Sequence, residues 1–448
     1  MRTGLRPVSF LPGSVTTAKL PPVCSLAVHN PLKQGCESPQ KASSVSPAEP
    51  RSAYLHLPFC KRKCLYCDFA VLALGSAPQE TIQSRFSSYT QLLLEEIGHT
   101  CGRHPAGLET VFFGGGTPSL LPPQLLEQLL AGLDNQFGIA PDAEISMEAD
   151  PGTFTAESLS AYMRSGVNRF SVGIQAFQQS HLERCGRSHD LHDVQAALGL
   201  MQQAQPASWS LDLISGLPHL SMEDWRESLE AAIAAQPPHI STYDLQIEDK
   251  TPFARLYRPG DAPLPADSEA ADMYRLASSL LCEAGYEHYE VSSFALPGHR
   301  CRHNQVYWTS APFHAFGMSA ASYQQGRRVT RPRAMQGYQS WVQALAEERD
   351  PAASLEADSL QDQLLDMIML SMRTSDGLNL QQAEQRFGRA ARTAVERAVA
   401  RHVEHGYVSF PEPDIIRLTD PEGFLIENDV VSDIFAAVGQ IPEHLQAS

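Results

Sequence analysis

Short apolar runs alternate with amphipathic segments along residues 52–295 of the chain. Runs of strand type are "SAYLHL", "TVFF", "EISME", "RFSVGI", "WSLDLISG", "HISTYDL" and, as the last predicted strand, "HYEVSSFA". Segments with helical spacing of their apolar residues separate these runs. Alternating strands and helices form a parallel sheet, either doubly wound or closed as a barrel. The pattern therefore predicts an α/β fold.

The alternation stops near residue 330, and the remainder has a different pattern. Residues 331–448 are mainly helical, with Gly377 as a turn and two short strands before the last helix. This order predicts a small winged-helix-like domain. The sequence thus divides into a leader of residues 1–45, a core with its extension over residues 46–330, and a C-terminal domain over residues 331–448.

The leader differs from the rest of the chain in charge. No acidic residue precedes Glu37, whereas Arg2, Arg6, Lys19 and Lys33 are basic, and serine, threonine and proline are frequent. Such a composition is typical of a mitochondrial transit peptide. The alternative is a disordered tail.

Length, charge and cysteine count limit the class of protein. A chain of 448 residues suggests two or three domains, or one large barrel with an appendage. The net charge of −17 argues against a protein that binds nucleic acid mainly through phosphates. No uncharged apolar run reaches the roughly 18 residues of a membrane span, which leaves only peripheral membrane contact open. Nine cysteines are too few for a disulfide scaffold and favour a reducing compartment.

Three cysteines, Cys60, Cys64 and Cys67, follow the first predicted strand at the spacing C-x₃-C-x₂-C. A structural zinc site requires four ligands, and His56 is the nearby candidate for the fourth. An electron-transfer [4Fe–4S] cluster also takes four thiolates, so three thiolates leave one iron open. S-adenosylmethionine can chelate that iron through its amine and carboxylate. An electron from the cluster can then cleave its S–C5′ bond to give a 5′-deoxyadenosyl radical.

Further candidate residues follow the next strands. Gly114, Gly115 and Gly116 end the run "TVFFGGG" and allow the backbone to approach a ligand closely. Polar side chains that suit ribose hydroxyls, an amine or a carboxylate follow later strands: Glu148, Gln175, Arg187 and Asp212. Because the carboxyl ends of parallel strands meet at one edge of a sheet, these residues and the cysteines are expected to form one site.

The cysteine motif resembles that of the radical S-adenosylmethionine superfamily. More closely, "LHLPFC", "FFGGGTPS", "EADPGT" and "SVGIQ" resemble oxygen-independent coproporphyrinogen III oxidase and its relatives, over roughly residues 52–430. The resemblance implies a partial (β/α) barrel with a small helical C-terminal domain. It also implies that Cys60, Cys64 and Cys67 bind the cluster. The S-adenosylmethionine contacts it implies are Tyr54, Tyr66, Gly115, Gly116, Thr117, Glu148, Gln175, Arg187 and Asp212.

Two features separate the branches of this group. The oxidase motif resembles C-x₃-C-x₂-C-x-C, with a further cysteine two residues after the third. This chain has Phe69 at that position. The motif H-N-x-x-Y-W, here His303 to Trp308, is typical of the HemW branch of haem chaperones. This resemblance implies that haem is the cargo and that His303 is a candidate haem ligand. It also implies that the protein is a monomer or dimer in the mitochondrial matrix and that its partners are haem-accepting mitochondrial proteins. No catalytic residue is assigned.

Two alternatives stay open. The chain can instead be an oxygen-independent coproporphyrinogen III oxidase, in which the radical abstracts a hydrogen from a propionate and carbon dioxide leaves. His303 can instead be a structural histidine that is hydrogen-bonded beside packed aromatic residues. Met367, Met369 and Met372 lie at helical spacing and are interpreted as core packing.

Overall fold

The computed structural model describes residues 49–353 and 355–441. The predicted leader, residues 1–45, lies outside the described residues. The strands are β1 (Ser52–Leu57), β2 (Phe59–Cys60), β3 (Leu72–Ala73), β4 (Leu108–Gly115), β5 (Ile139–Ala149), β6 (Arg169–Gln175), β7 (Ser208–Ser215), β8 (His239–Asp244), β9 (Glu287–Glu290), β10 (Ser293–Ala295), β11 (His314–Phe316), β12 (Ala321–Gln324), β13 (Arg327–Thr330), β14 (Leu378–Asn379), β15 (Val408–Glu412) and β16 (Ile415–Leu418).

The helices connect these strands. They are α1 (Gln79–His99), α2 (Pro123–Phe137), α3 (Ala156–Arg164), α4 (Gln179–Arg184), α5 (Leu191–Ala204), α6 (Met222–Ala234), α7 (Pro252–Leu256), α8 (Asp267–Glu283), α9 (Arg302–Trp308), α10 (Met335–Ala346), α11 (Leu360–Ser371), α12 (Leu380–Phe387), α13 (Arg389–Glu404), α14 (Glu422–Leu425) and α15 (Glu427–Val438). No helix in the described ranges combines the length and the hydropathy that a bilayer span requires.

A nine-stranded sheet forms the centre, in the order β11-β1-β4-β5-β6-β7-β8-β10-β9. Neighbouring strands from β11 to β8 pair in parallel, whereas β10 is antiparallel to both β8 and β9. Strands β11 and β9 are the two ends of the sheet, so it does not close. The predicted α/β fold with a partial barrel is therefore confirmed.

Helix starts are encoded locally after several strands. Thr155, Asp190 and Ser221 each form a capping box at the start of α3, α5 and α6, respectively. Each side chain accepts a hydrogen bond from a backbone N–H in the first turn, which satisfies a donor that lacks an intrahelical partner. These caps fix short connections between strand and helix, and so fix where the polar residues at the strand ends lie.

Side chains alternate between the two faces of the sheet. Val111 and Phe113 of β4 are fully buried in the hydrophobic core against the helices. Thr110 and Phe112, which alternate with these two residues along β4, contact His303 on the other side of the sheet. This second face, here called the polar face, carries Thr110, Glu144, Ser146, Glu148, Arg169, Ser171, Ser210 and Asp212.

The prediction of one strand over "HYEVSSFA" is wrong, because the chain reverses between β9 and β10. Residues Val291 and Ser292 form the turn. The turn is held because the Glu290 carboxylate accepts a hydrogen bond from the Ser292 N–H at 3.3 Å and Thr242 N–H donates to the Ser292 carbonyl at 2.7 Å. The turn has neither glycine nor proline, so the apolar run carries no signal of it.

The C-terminal domain combines a three-stranded sheet, β14-β16-β15, with helices α11 to α15. Gly377 lies in the predicted turn at φ +74°, and a Cβ there would lie 2.2 Å from the Ile416 carbonyl oxygen. Only glycine fits this position. The winged-helix-like prediction is confirmed. Tyr338 and Val342 of helix α10 pack into the hydrophobic core that surrounds the nine-stranded sheet. The domain boundary after residue 330 stays a prediction.

Candidate functional site

The cysteine motif lies at the carboxyl end of β1. Cys60 ends the short strand β2, and all three cysteine residues are half-buried. Burial raises the pKa of the Cys60 thiol to about 12 and that of the Cys67 thiol to about 11. The two thiols are therefore neutral without a metal, and metal binding must displace their protons.

His56, the candidate fourth ligand of a zinc site, is engaged away from the cysteines. His56 is not a free fourth ligand, because its Nδ1 is 3.1 Å from the Tyr54 hydroxyl and its Nε2 is 2.9 Å from the Ala70 carbonyl. Three free thiols on one loop, without His56 as a fourth ligand, are the donor set of a cluster that three thiolates hold.

The glycine loop packs directly on the cysteine loop. The N–H groups of Gly116 and Thr117 donate to the carbonyls of Leu57 and Phe59 at 2.8 and 2.7 Å. A Cβ on Gly116 would lie 2.6 Å from the Phe59 carbonyl oxygen and 3.0 Å from the Cys60 sulfur. Gly115 has φ +118°, and a Cβ there would meet the His56 ring at 2.6 Å. Glycine is required because any side chain would separate the two loops.

Two partly buried carboxyl groups lie on β5 and β7, the two strands that flank β6. Glu148 accepts a hydrogen bond from the Gly115 N–H at 2.9 Å, and burial raises its pKa to about 8. Asp212 accepts hydrogen bonds from Ser171 at 2.5 Å and Ser210 at 3.3 Å, and burial raises its pKa too. Both carboxyl groups can accept hydrogen bonds from a polar ligand.

Arg187 connects the cysteine loop to the sheet. Its Nη1 donates to the Tyr66 hydroxyl at 3.2 Å and lies 3.5 Å from the Cys64 sulfur. Its Nη2 donates to Asp150 at 2.5 Å and to the Gly173 carbonyl at 2.8 Å. Its Nε is buried and has no hydrogen-bond partner among the described residues. This orphaned donor beside the thiols is what a site for a bound carboxylate would show.

Asp150 is a site residue that the sequence analysis missed. Its second oxygen accepts a hydrogen bond from Thr117 at 3.0 Å, so one carboxylate holds both the glycine loop and Arg187. The available signal was its position two residues after Glu148, directly beyond the end of β5. The structure also places buried Cys185 next to the cysteine loop, where its carbonyl accepts from the Leu65 N–H at 2.9 Å.

Tyr54 and Gln175 complete the predicted set. The Tyr54 ring stacks on Phe112 with centroids 6.1 Å apart, under the glycine loop. Gln175 ends β6 with φ +72°, at an irregularity in the pairing with β7. The structure therefore brings the predicted cluster ligands and the predicted S-adenosylmethionine contacts together at one edge of the sheet.

His303 does not lie at this edge. It is fully buried on α9, with Nδ1 2.7 Å from the Thr110 hydroxyl and Nε2 2.9 Å from the Tyr307 hydroxyl. Gly115 lies five positions after Thr110 along β4, a distance of about 16 Å. Burial lowers the pKa of His303 to about 3, so the ring is neutral.

Comparison with known proteins identifies both parts of the chain. Residues 54–232 match the Radical SAM superfamily, which implies a [4Fe–4S] cluster and S-adenosylmethionine, and residues 358–425 match the HemN C-terminal domain. The solved structure of coproporphyrinogen III oxidase (HemN) from Escherichia coli has the same fold. The TM-score is 0.72 and the sequence identity 22%, covering 88% of this chain and 91% of that chain.

Two curated relatives resemble the chain more closely in sequence. Radical S-adenosyl methionine domain-containing protein 1, mitochondrial, of Mus musculus is 30% identical over 69% of each chain. Heme chaperone HemW of Synechocystis is 40% identical over 406 residues, which are 87% of this chain and 97% of the relative. The resemblance drawn from the cysteine, glycine and H-N-x-x-Y-W motifs is thereby confirmed, and the chain belongs to the HemW family of radical S-adenosylmethionine proteins.

Proposed function

We propose that this protein is a haem chaperone that carries a [4Fe–4S] cluster and S-adenosylmethionine and delivers haem to mitochondrial acceptor proteins. The observation that carries the proposal is the similarity to the Synechocystis haem chaperone over nearly the whole of both chains. Phe69, at the position of the fourth cysteine of the oxidases, supports the same branch.

The residues at the sheet edge divide the work of holding the cofactors. Cys60, Cys64 and Cys67 bind the cluster, and Thr117 lies 3.7 Å from the Cys60 sulfur. The Arg187 guanidinium faces the thiols and offers its Nε to the methionine carboxylate. When bound, the cluster and S-adenosylmethionine supply one-electron chemistry.

Acidic side chains accept hydrogen bonds from the remaining polar groups of S-adenosylmethionine. In this proposal Glu148 and Asp212 accept from its amine and ribose hydroxyls, and Tyr54, Tyr66, Gly115, Gly116 and Gln175 shape the cavity around it. Burial raises the pKa of both carboxyl groups. A cationic ligand favours their ionised forms, so binding and deprotonation are coupled.

The enclosure of His303 limits its use as a haem ligand. His303 can bind haem iron only after its hydrogen bond to Thr110 or to Tyr307 is broken. Its complete burial means that α9 must also move. Delivery inside mitochondria is supported by the similarity to the mitochondrial protein of the mouse and by the basic composition of residues 1–45.

Two assays test the proposal on the full chain, purified and reconstituted under anaerobic conditions. In the first, haemin is titrated in and the Soret band followed, and the loaded protein is then mixed with an apo-haemoprotein acceptor. Stoichiometric binding and transfer are expected. In the second, coproporphyrinogen III is supplied with S-adenosylmethionine and reductant, and no protoporphyrinogen is expected. Product formation would establish the oxidase instead, and absence of haemin binding would refute the chaperone.

A further inference from the structure

Three exposed basic residues, Lys61, Arg62 and Lys63, lie between the first two cysteines of the motif and are here called the basic turn. The Lys61 ammonium donates to the Gly152 carbonyl at 2.7 Å, and the Lys63 ammonium donates to the Phe69 carbonyl at 3.0 Å. Both acceptors are uncharged, so these bonds orient the two lysines without compensating their charge. The positive charge of the basic turn therefore stays at the surface.

Hydrogen bonds to the segment after β3 fix the backbone of the basic turn. The Gly75 N–H donates to the Lys61 carbonyl at 3.1 Å, and the Leu74 N–H donates to the Cys60 carbonyl at 2.8 Å. The three charges are thus held in a defined place, between two of the residues that bind the cluster. A surface that is already ordered loses little conformational entropy when a partner binds to it.

The segments that contact the cysteine loop add further bases. The Leu65 N–H donates to the Cys185 carbonyl at the end of α4 at 2.9 Å, and the Leu65 carbonyl accepts from the Phe253 N–H of α7 at 3.1 Å. Asp68 lies 4.0 Å from Arg333, which precedes α10. The exposed bases of the loop and these segments are Lys61, Arg62, Lys63, Arg184, Lys250, Arg255 and Arg333. The acids of the same segments are Asp68, Glu183, Glu248 and Asp249. Bases are therefore in excess here, although the whole chain has a net charge of −17.

The cluster at this loop needs an electron from outside the chain. The one-electron chemistry that the cluster and S-adenosylmethionine supply begins from the reduced cluster. In that step a reduced carrier loses one electron and [4Fe–4S]²⁺ becomes [4Fe–4S]⁺, with no proton or other group transferred. The carrier must bring its own redox centre close to the cysteine loop, because electron transfer slows steeply with distance.

We propose that the basic turn and the bases around it form the docking surface for an acidic one-electron carrier protein. This inference rests on the proposed function for the cluster alone, and it does not depend on haem as the cargo. Opposite charges steer the encounter of two proteins and orient them, and electron-transfer interfaces are small and transient. The negative charge of the rest of the chain repels an acidic carrier, so the local excess of bases selects the productive orientation.

The test uses the full chain, reconstituted under anaerobic conditions, and a reduced plant-type [2Fe–2S] ferredoxin as the acidic carrier. Arg62→Glu reverses one charge of the basic turn, and Arg397→Glu makes the same change on an exposed position of α13 as its control. Ferredoxin binding is measured by calorimetry, and cluster reduction by stopped-flow absorbance. Reduced methyl viologen, a small cationic reductant, is run in parallel to separate docking from an effect on the cluster itself. Iron content confirms that each variant holds the cluster.

At low ionic strength, Arg62→Glu is expected to weaken ferredoxin binding and to slow reduction by ferredoxin, each by about tenfold or more. Reduction by methyl viologen should not slow, and Arg397→Glu should match the wild type in every measurement. The difference should disappear in 1 M salt, where the Debye length is about 3 Å.

Three results would overturn the docking proposal. Equal slowing with both reductants would show that Arg62 acts on the potential of the cluster. Equal behaviour of the two variants would show that the position of the charge does not matter. Loss of binding to phosphatidylserine vesicles in Arg62→Glu, with ferredoxin results equal to the wild type, would assign the surface to a membrane.

A parallel titration with haemin keeps this inference separate from the chaperone proposal. Wild-type chain that binds haemin but shows no selective effect of Arg62→Glu would refute docking and leave the chaperone proposal standing. Chain that shows the selective effect but binds no haemin would refute the chaperone and leave docking standing. A chain that assembles no cluster would refute both.

Discussion

The carboxylate of Asp150 accepts a hydrogen bond from Nη2 of Arg187 at 2.5 Å. The same carboxylate accepts from Thr117 at 3.0 Å, and Arg187 in turn reaches the Tyr66 hydroxyl. One acidic side chain therefore links three segments: the glycine loop, the end of β5 and the segment after α4. Its role is to position the groups that contact the cofactors.

Asp150→Asn is expected to weaken both the fold and the cofactor site. Removing one partner of a buried ion pair costs about 3–5 kcal/mol, and the 18% exposure of the Asp150 side chain favours the lower end. The S-adenosylmethionine dissociation constant is expected to rise by about tenfold or more, because Arg187 and Thr117 lose their orientation. Urea unfolding and equilibrium binding measure the two effects. Asp142→Asn, an exposed control, should match the wild type in both.

Gly116→Ala is expected to separate the glycine loop from the cysteine loop. Its Cβ would lie 2.6 Å from the Phe59 carbonyl oxygen, which is backbone and cannot move aside alone. Overpacking of this kind costs about 1–3 kcal/mol, and the displaced Cys60 should lower the iron content after reconstitution. The matched control is Gly199→Ala in α5, where no atom lies within 4 Å of the new Cβ. That variant should gain about 0.5–1 kcal/mol and keep its iron.

Acid is expected to destabilise the protein partly through His303. The pKa of its ring is about 3 in the folded chain and 6.5 when unperturbed. Between these values the unfolded chain binds one more proton, so the free energy of unfolding falls as pH falls, by about 1.4 kcal/mol per pH unit. His303→Phe should make the pH dependence shallower by one proton between pH 6.5 and about 4.

The control for that prediction is Tyr307→Phe. It removes a hydrogen-bond partner of His303 but keeps the titrating ring, so it should lower stability at every pH and keep the wild-type slope. Urea unfolding across a pH series measures the slope. An unchanged slope in His303→Phe would show that the ring is not held neutral by burial.

Cys64→Ser is expected to reduce the iron and sulfide content after anaerobic reconstitution far below that of the wild type. A cluster on three thiolates has no spare ligand to replace the lost one. Cys101→Ser, which alters an exposed cysteine, should retain the wild-type content. Equal iron content in the two variants would show that Cys64 is not a ligand.

Local patterns predicted much of this fold. Runs such as "TVFF" and "RFSVGI" lie within β4 and β6, because apolar residues between helical segments mark buried parallel strands. The cysteine spacing and the strand-end residues predicted one site because parallel strands bring their carboxyl ends together. These features depend on neighbours in sequence or on a general property of parallel sheets.

Other features depend on contacts that no local pattern encodes. Strand β11 joins β1 across more than two hundred residues of sequence, and the β9–β10 turn has no turn residue to mark it. The pairing of Asp150 with Arg187 depends on the loop after α4 folding back over β6. The enclosure of His303 depends on Thr110 lying opposite α9. The motif H-N-x-x-Y-W does not encode this contact.

The most direct test of the central claim, a three-thiolate cluster with one iron open to S-adenosylmethionine, is electron paramagnetic resonance of the reduced, reconstituted chain. The spectrum is recorded with and without S-adenosylmethionine. The account predicts the signal of a reduced [4Fe–4S] cluster that changes shape when S-adenosylmethionine is added. A signal that S-adenosylmethionine leaves unchanged, or a chain that takes up zinc and gives no cluster signal, would contradict it.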